Sequence, residues 1–310
     1  AERVRYLEIR AFLQSTVRPA SIGYWNREEF PFGLLAEMGR HGLGRLQTDG
    51  TSKLFKGLMY VEVARADVSL SALVGIHNEL IVGMIDALGS EEQKQRWLPG
   101  LENFTQLGAF ALTEPDHGSD IAGGLETSAR LEDGEWVING AKRWIGSGTI
   151  ADFALVWARD AADGHIKGVI VETDRAGYRA TKIANKIGLR IMQNADIVLD
   201  NVRIPASNML PGATDFSKAN ELLRDSRAWV GWQGAGIQLA AFDVARSYSL
   251  ERRQFGKELA CFQLVQQQLA ENLGNASASL ALMARLARIQ TDGKLELARR
   301  FAQLVLCETE

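Results

Sequence analysis

The chain reads as an α+β protein with a helical stretch over residues 1–105, an antiparallel β-domain over 106–212 and a second helical domain over 213–310. Two observations predict this order. Apolar residues recur at helical spacing towards both ends, and the period changes to two in the middle. Pro-Gly pairs at 99–100 and 211–212 lie close to the two changes.

In the first segment Leu54, Leu58, Val61, Val63 and Ala64 recur near helical spacing, as do Leu80, Ile81, Met84, Ile85 and Leu88. Ser90-Glu91-Glu92-Gln93 is a capping box, in which the Ser90 hydroxyl accepts an early N–H and Gln93 reaches back. Pro99-Gly100 is expected to end that helix. The middle segment carries β-rich runs at 136–138, 153–157, 168–171 and 195–199. Asp133-Gly134 and Asn139-Gly140 are short-hairpin signals beside them. Residues 216–250, 258–291 and 295–310 then carry long apolar stripes without an internal proline, as helices packed on helices do.

Composition narrows the function. Hydrophobic content of 46%, charged content of 24% and a net charge of −3 suit a soluble globular protein with no nucleic-acid footprint. No membrane span is expected, since no apolar run approaches the ~20 residues that crossing requires. The opening Ala1-Glu2-Arg3-Val4-Arg5-Tyr6 resembles the middle of an amphipathic helix rather than a signal peptide, which points to the cytoplasm. Cys261 and Cys307 are too few for a disulfide framework or a zinc site and read as small core residues. The histidines at 41, 77, 117 and 165 are scattered, with no spacing for a metal. No GxGxxG follows a strand and no P-loop occurs. Gly231, Gly234 and Gly236 sit in a helical pattern and read as points of close helix packing.

Two segments carry the chemistry. Thr113-Glu114-Pro115-Asp116-His117-Gly118-Ser119-Asp120 and Asn139-Gly140-Ala141-Lys142-Arg143-Trp144-Ile145-Gly146 place turn-forming and hydrogen-bonding residues between apolar strands, as loops that hold a polar ligand do. Phe110 precedes them; Arg227, Glu251-Arg252-Arg253-Gln254-Phe255-Gly256 and Gln263 follow. In this order the segments resemble the signatures of the acyl-CoA dehydrogenase and acyl-CoA oxidase family. The resemblance covers nearly the whole chain and implies that family's fold, with FAD as cofactor and an acyl-CoA as substrate.

Carried over residue by residue, the resemblance implies that Phe110, Leu112, Thr113 and Ser119 hold the flavin's pyrimidine side, with Ser119 also touching the acyl-CoA. Trp144, Ile145 and Gly146 would pack along the isoalloxazine. Arg227 would line the acyl-CoA site. Arg252, Phe255 and Gln263 would serve the FAD of a neighbouring subunit, which implies a homodimer or homotetramer. An electron-transfer flavoprotein or dioxygen would accept the electrons. Gly146 stands where most family dehydrogenases carry a threonine. With Asn185-Lys186-Ile187-Gly188-Leu189-Arg190 and Met192-Gln193-Asn194, it resembles the plant peroxisomal short-chain acyl-CoA oxidase, and in turn glutaryl-CoA dehydrogenase. Ser71 occupies the place of the arginine by which glutaryl-CoA enzymes pair with a distal carboxylate, so an uncharged short-chain acyl-CoA is expected as substrate.

The family's catalytic base is a glutamate in a Y-E-G-T-like segment near the C-terminus, or one position before the binding arginine. Ser226 fills the second position, and no Y-E-G-T-like segment occurs up to Glu310. The chain is therefore expected to be a truncated portion of a longer enzyme, with its base beyond residue 310. A base-less flavin and acyl-CoA binding subunit is the alternative from another class, and glutaryl-CoA oxidative decarboxylation a third. Glu221 and Asp225 are expected to be helix-surface charges.

Overall fold

A computed structural model describes the backbone of residues 1–309 and the side chains of residues 1–302. Helices α1 (Glu2–Phe12), α2 (Arg18–Arg27), α3 (Phe32–Arg40), α4 (Lys53–Ala66), α5 (Val68–Gly75), α6 (Gly83–Leu88) and α7 (Glu91–Glu102) come first. Strand β1 (Gly108–Ala111), the single turn α8 (Ile121–Gly124), β2 (Ser128–Glu132), β3 (Glu135–Ile145), β4 (Phe153–Asp160), β5 (Ile166–Glu172), β6 (Tyr178–Lys182) and β7 (Ala195–Pro205) follow. The chain closes with α9 (Phe216–Glu251), the small hairpin β8 (Arg253–Gln254) and β9 (Lys257–Glu258), α10 (Gln263–Thr291) and α11 (Leu295–Thr309). Two π-helical segments, Leu13–Val17 and Ile76–Val82, interrupt the first helices.

The chain divides into two compact units, one of residues 1–21, 51–71 and 225–310, the other of 22–50 and 72–224. In the first, α4 and α9 approach closely because glycines remove side chains. A Cβ on Gly236 would meet the Val61 carbonyl at 2.5 Å, and one on Gly57 would enter the Trp232 ring at 2.1 Å. The close-packing expectation thus holds for Gly236. A buried carboxylate, Glu62, accepts from the Tyr6 hydroxyl at 2.7 Å and lies 3.5 Å from Arg65.

The second unit is built on a seven-stranded sheet of order β1-β4-β2-β3-β7-β6, with β5 paired to β4. It is mixed, not purely antiparallel as expected. Strands β1 and β2 run parallel to β4, because the long excursion through β2 and β3 brings the chain back in its original direction. One apolar layer of the sheet includes Ala109, Ala154, Val156, Val171, Ile197 and Val202. The other packs Phe153, Leu155, Trp157 and Ile170 with Ile81, Ile85, Trp97 and Ala219.

Local signals fare unevenly. The Ser90 box forms, with Gln93 N–H donating to Ser90 Oγ at 3.2 Å and Ser90 N–H to Gln93 Oε1 at 3.0 Å. Asp133 and Gly134 make the turn between β2 and β3 with φ of 48° and 82°. Pro99 does not end its helix, which continues to Glu102. Asn139-Gly140 is no hairpin but an irregularity inside β3, where the register to β7 shifts between Ile138 and Gly140. A Cβ on Gly140 would lie 2.4 Å from Thr127 Oγ1, so the glycine permits a close backbone approach. Cys261 is exposed rather than in the core, and the side chain of Cys307 lies outside the described residues. The stretch Val68–Leu88, with mean hydropathy 1.6, does reach the length and composition of a membrane span, contrary to expectation. With 72% of its most apolar window buried in the protein, it has the burial of a core helix.

Candidate functional site

In the second unit the segment after β1 and the last residues of β3 are joined by a buried ion pair. Lys142 on β3 is 1% exposed and Glu114 4%. The Lys142 ammonium donates to Glu114 Oε1 at 2.9 Å, the Leu112 carbonyl at 3.0 Å and the Trp157 carbonyl at 2.7 Å. Three acceptors use all three ammonium hydrogens, so the geometry is that of a charged lysine. Burial nevertheless pulls its pKa down to about 8, against the hydrogen bond and charge of Glu114.

Burial by itself would raise Glu114, but the N–H groups of Glu126 and Thr127 (2.7 and 2.9 Å) and the Lys142 ammonium outweigh it. They hold the carboxyl below the usual range. Arg143 N–H donates to the Thr113 carbonyl at 2.9 Å, and Glu114 N–H to the His117 carbonyl at 3.0 Å, closing the turn.

This buried support leaves other atoms outward. Ser119 is exposed, and Thr113 is partly so. The Thr113 N–H and hydroxyl have no hydrogen-bond partner among the described residues. Trp144 is 53% exposed and sits at φ 61°, a left-handed conformation costly for a bulky residue. Asn194 Nδ2 fastens its carbonyl at 3.1 Å, and the Arg143 guanidinium lies 5.6 Å from its ring. Ile145 is buried beside it. Phe110 on β1 is half-buried, 6.3 Å from the Trp157 ring.

Gly146 has a neighbour that explains it. A Cβ there would meet Met192 Cε at 2.4 Å and Ile76 Cδ1 at 3.2 Å, so Met192 and Ile76 occupy the space a larger residue would need. The loop that delivers Met192 is braced by Lys186, whose ammonium donates to the Leu189 and Met192 carbonyls at 2.8 and 2.6 Å.

A cavity of about 300 Å³ adjoins the loop, lined by residues that include Glu114, His117, Glu126, Thr127 and Gly140. His117 bridges Asp120 at 2.9 Å and Glu126 at 3.6 Å, and its hydrogen bond to Asp120 raises its pKa. It acts as a clasp across the loop. Among the described residues no group of three metal-ligating side chains occurs.

The remaining predicted residues belong to the first unit. Arg227 is exposed on α9. Arg252, Phe255 and Gln263 are exposed around the β8–β9 hairpin and the start of α10, with Phe255 92% exposed and its ring 6.2 Å from that of Phe262. Ser71 is fully buried, and its hydroxyl donates to the Tyr60 carbonyl at 3.5 Å. Ser226 is buried. Asp225 is bound by Arg299 at 2.6 and 3.2 Å, and in the second unit Glu221 lies 3.5 Å from Lys218, so both carry ion pairs, as expected of helix-surface charges.

Models of the acyl-CoA dehydrogenase N-terminal, middle and C-terminal domains match residues 5–104, 109–202 and 216–309. The chain belongs to the acyl-CoA dehydrogenase family. It is 31% identical over 309 residues to an acyl-CoA dehydrogenase of Bacillus subtilis (strain 168), spanning 95% of this chain and 81% of the relative. It is likewise 31% identical to the mitochondrial short-chain specific acyl-CoA dehydrogenase of Mus musculus, over 97% of this chain and 75% of that one. A glutaryl-CoA dehydrogenase from Mycobacterium smegmatis, solved in complex with FADH2, superposes with a TM-score of 0.89 at 33% identity, covering 99% of this chain and 83% of that one. The protein is accordingly an FAD-dependent flavoprotein of the acyl-CoA dehydrogenases. The residues of the second unit fit such a cofactor. An outward indole beside an uncommitted backbone donor suits a flat ring with polar edges.

Sequence reading missed two parts of this arrangement. Lys142 lay inside the second motif without a role, and nothing local marks it, since a lysine on a strand is ordinarily exposed unless a partner is brought to it. Met192 gave no signal, since its relation to Gly146 depends on how a distant loop folds.

Proposed function

We propose that this protein converts a short, uncharged acyl-CoA to the trans-2-enoyl-CoA, a β-hydride passing to FAD and an α-proton to a carboxylate base that neither Ser226 nor a Y-E-G-T-like segment supplies within residues 1–310. The carrying observation is the loop Thr113–Ser119 with Trp144, both outward-facing and held from beneath by the Lys142–Glu114 pair. Bound FAD supplies the hydride acceptor. Phe110, Leu112, Thr113 and Ser119 would hold its polar edge, and Trp144, Ile145 and Gly146 its ring. Backbone donors in the loop stabilise negative charge there. Arg227 would contact an acyl-CoA, and Arg252, Phe255 and Gln263 would reach the FAD of a second copy in a homo-oligomer. An electron-transfer flavoprotein or dioxygen would take the electrons.

Ser71 supports the substrate class. It is neutral and buried, with its hydroxyl committed to Tyr60, and offers no cation to pair with a distal carboxylate. A second reading, flavin and acyl-CoA binding without deprotonation, draws on Ser226 at one family position for the base and on the capture of Asp225 by Arg299.

One experiment separates these readings. The flavin-loaded protein is mixed anaerobically with butyryl-CoA or glutaryl-CoA, and bleaching of the oxidised flavin is followed. Faster bleaching by butyryl-CoA is expected. Faster bleaching by glutaryl-CoA with carbon dioxide release overturns the substrate class, and retained colour with both thioesters selects the binding-subunit reading.

A further inference from the structure

Lys142 meets the outward-facing loop at the Glu114 carboxylate and at one backbone peptide unit. Its ammonium donates to the Leu112 carbonyl at 3.0 Å. The same peptide unit carries the Thr113 N–H, which has no partner among the described residues. Leu112 is buried and Thr113 partly exposed, so the unit runs from the dry interior to the loop surface. A cation at the carbonyl end of a peptide draws electron density towards that oxygen and makes the N–H at the other end a stronger donor, as in any chain of hydrogen bonds. In a buried setting this polarisation is little screened by water.

The partners of the pair make the effect directional. The charge of Glu114 is spread over the N–H groups of Glu126 and Thr127 as well as Lys142. The other acceptors of Lys142 are neutral carbonyls, those of Leu112 and Trp157. Glu126, Asp116 and His117 line the cavity beside Glu114, and none of them is among the three acceptors of the ammonium.

We propose that Lys142 is a positioning residue for the reduced cofactor: acting through the Leu112–Thr113 peptide, it strengthens the Thr113 N–H and so favours reduced over oxidised FAD. This rests on the reading that the Thr113–Ser119 loop holds the flavin. Reduction places negative charge on the ring, so a stronger donor there binds the reduced form preferentially. The lysine touches neither substrate nor flavin and works by electrostatics transmitted through one amide.

The test is the flavin midpoint potential of the purified holoprotein, together with fluorescence titration of FAD, in Lys142→Met, Glu114→Gln, the double variant and Trp144→Ala. Lys142→Met should lower the preference for reduced over oxidised FAD about tenfold, a fall of about 30 mV for a two-electron couple. Glu114→Gln removes the opposing charge and should leave the potential unchanged or raise it. A merely structural pair would move both variants the same way. Should Lys142→Met fail to fold, the double variant removes both charges together, keeps the interior neutral and should lie about 30 mV below Glu114→Gln. An unchanged potential in Lys142→Met, a double variant level with Glu114→Gln, or shifts of one sign in both single variants, overturns the proposal. Trp144→Ala separates this from failure of the underlying reading. If it weakens FAD binding while loss of Lys142 leaves the potential intact, only the role of Lys142 is wrong. If it leaves FAD binding unchanged, the loop is not the flavin site.

Discussion

The two stretches that carry the flavin signatures are built in opposite ways. Around Thr113 and Trp144 the exposed atoms stand on an interior brace, Lys142 and Glu114, which ties the end of β1 to β3 and β4. Around Arg252 and Gln263 there is no such brace among the described residues. The β8–β9 hairpin is held by local contacts, the Arg253–Glu258 ion pair and Lys257 4.4 Å over the Phe262 ring, and Phe255 stands in solvent. A preorganised surface of the first kind can hold a ligand with its own backbone. One of the second kind offers side chains whose order depends on what they meet.

The sharpest way to break this contrast is to remove the brace. Glu114→Ala leaves a buried ammonium and two N–H groups without their acceptor, and should destabilise the protein by about 3–5 kcal/mol. Arg253→Ala in the hairpin should leave the urea midpoint unchanged, since its partner is exposed. Equal midpoints for the two variants would refute the distinction.

A second test uses pH within the braced unit. His77 is fully buried between the Leu101 carbonyl at 2.9 Å and the Phe104 ring at 4.5 Å, and burial lowers its pKa to about 4. Below about 6.5 the unfolded chain takes up a proton that the folded chain refuses, so stability is full above that pH. It is lost as pH falls through the folded value, on the order of 3 kcal/mol in all. His77→Gln should flatten the dependence of the urea midpoint between pH 7 and 4.5. A slope equal to that of the unmodified protein would contradict this.

The smallest effect sharpens the other side. Arg252→Ala should cost about 1.5–3 kcal/mol of FAD affinity, the range for a hydrogen bond to a charged group, with no change in the stability of the cofactor-free chain. If the variant retains FAD as tightly as the parent, Arg252 has no part in the cofactor site.

Much of this was legible in the residues. The Ser90 box and the Asp133-Gly134 turn formed as read, because each involves neighbours within a few positions. Asn139-Gly140 misled, since the same dipeptide serves a tight turn or a bulge, and only the close approach of Thr127, just before β2, decides between them. Pro99 misled because a proline is tolerated within a helix that packing sustains. The charges on α9 were read correctly as surface charges, but the Arg299 that holds Asp225 lies 74 residues away.

By itself the sequence determined the order of helical, β and helical segments and the family. These follow from periodicity and from short motifs, which are local properties of the chain. The tertiary structure alone decided that the sheet is mixed, that Met192 fills the space at Gly146, and that Lys142 is dry. Lys142 reaches its acceptors across 30, 28 and 15 residues of chain, at Leu112, Glu114 and Trp157. Contacts of that separation are set by strand register and core packing, where burial turns an ordinary surface cation into the support of the loop.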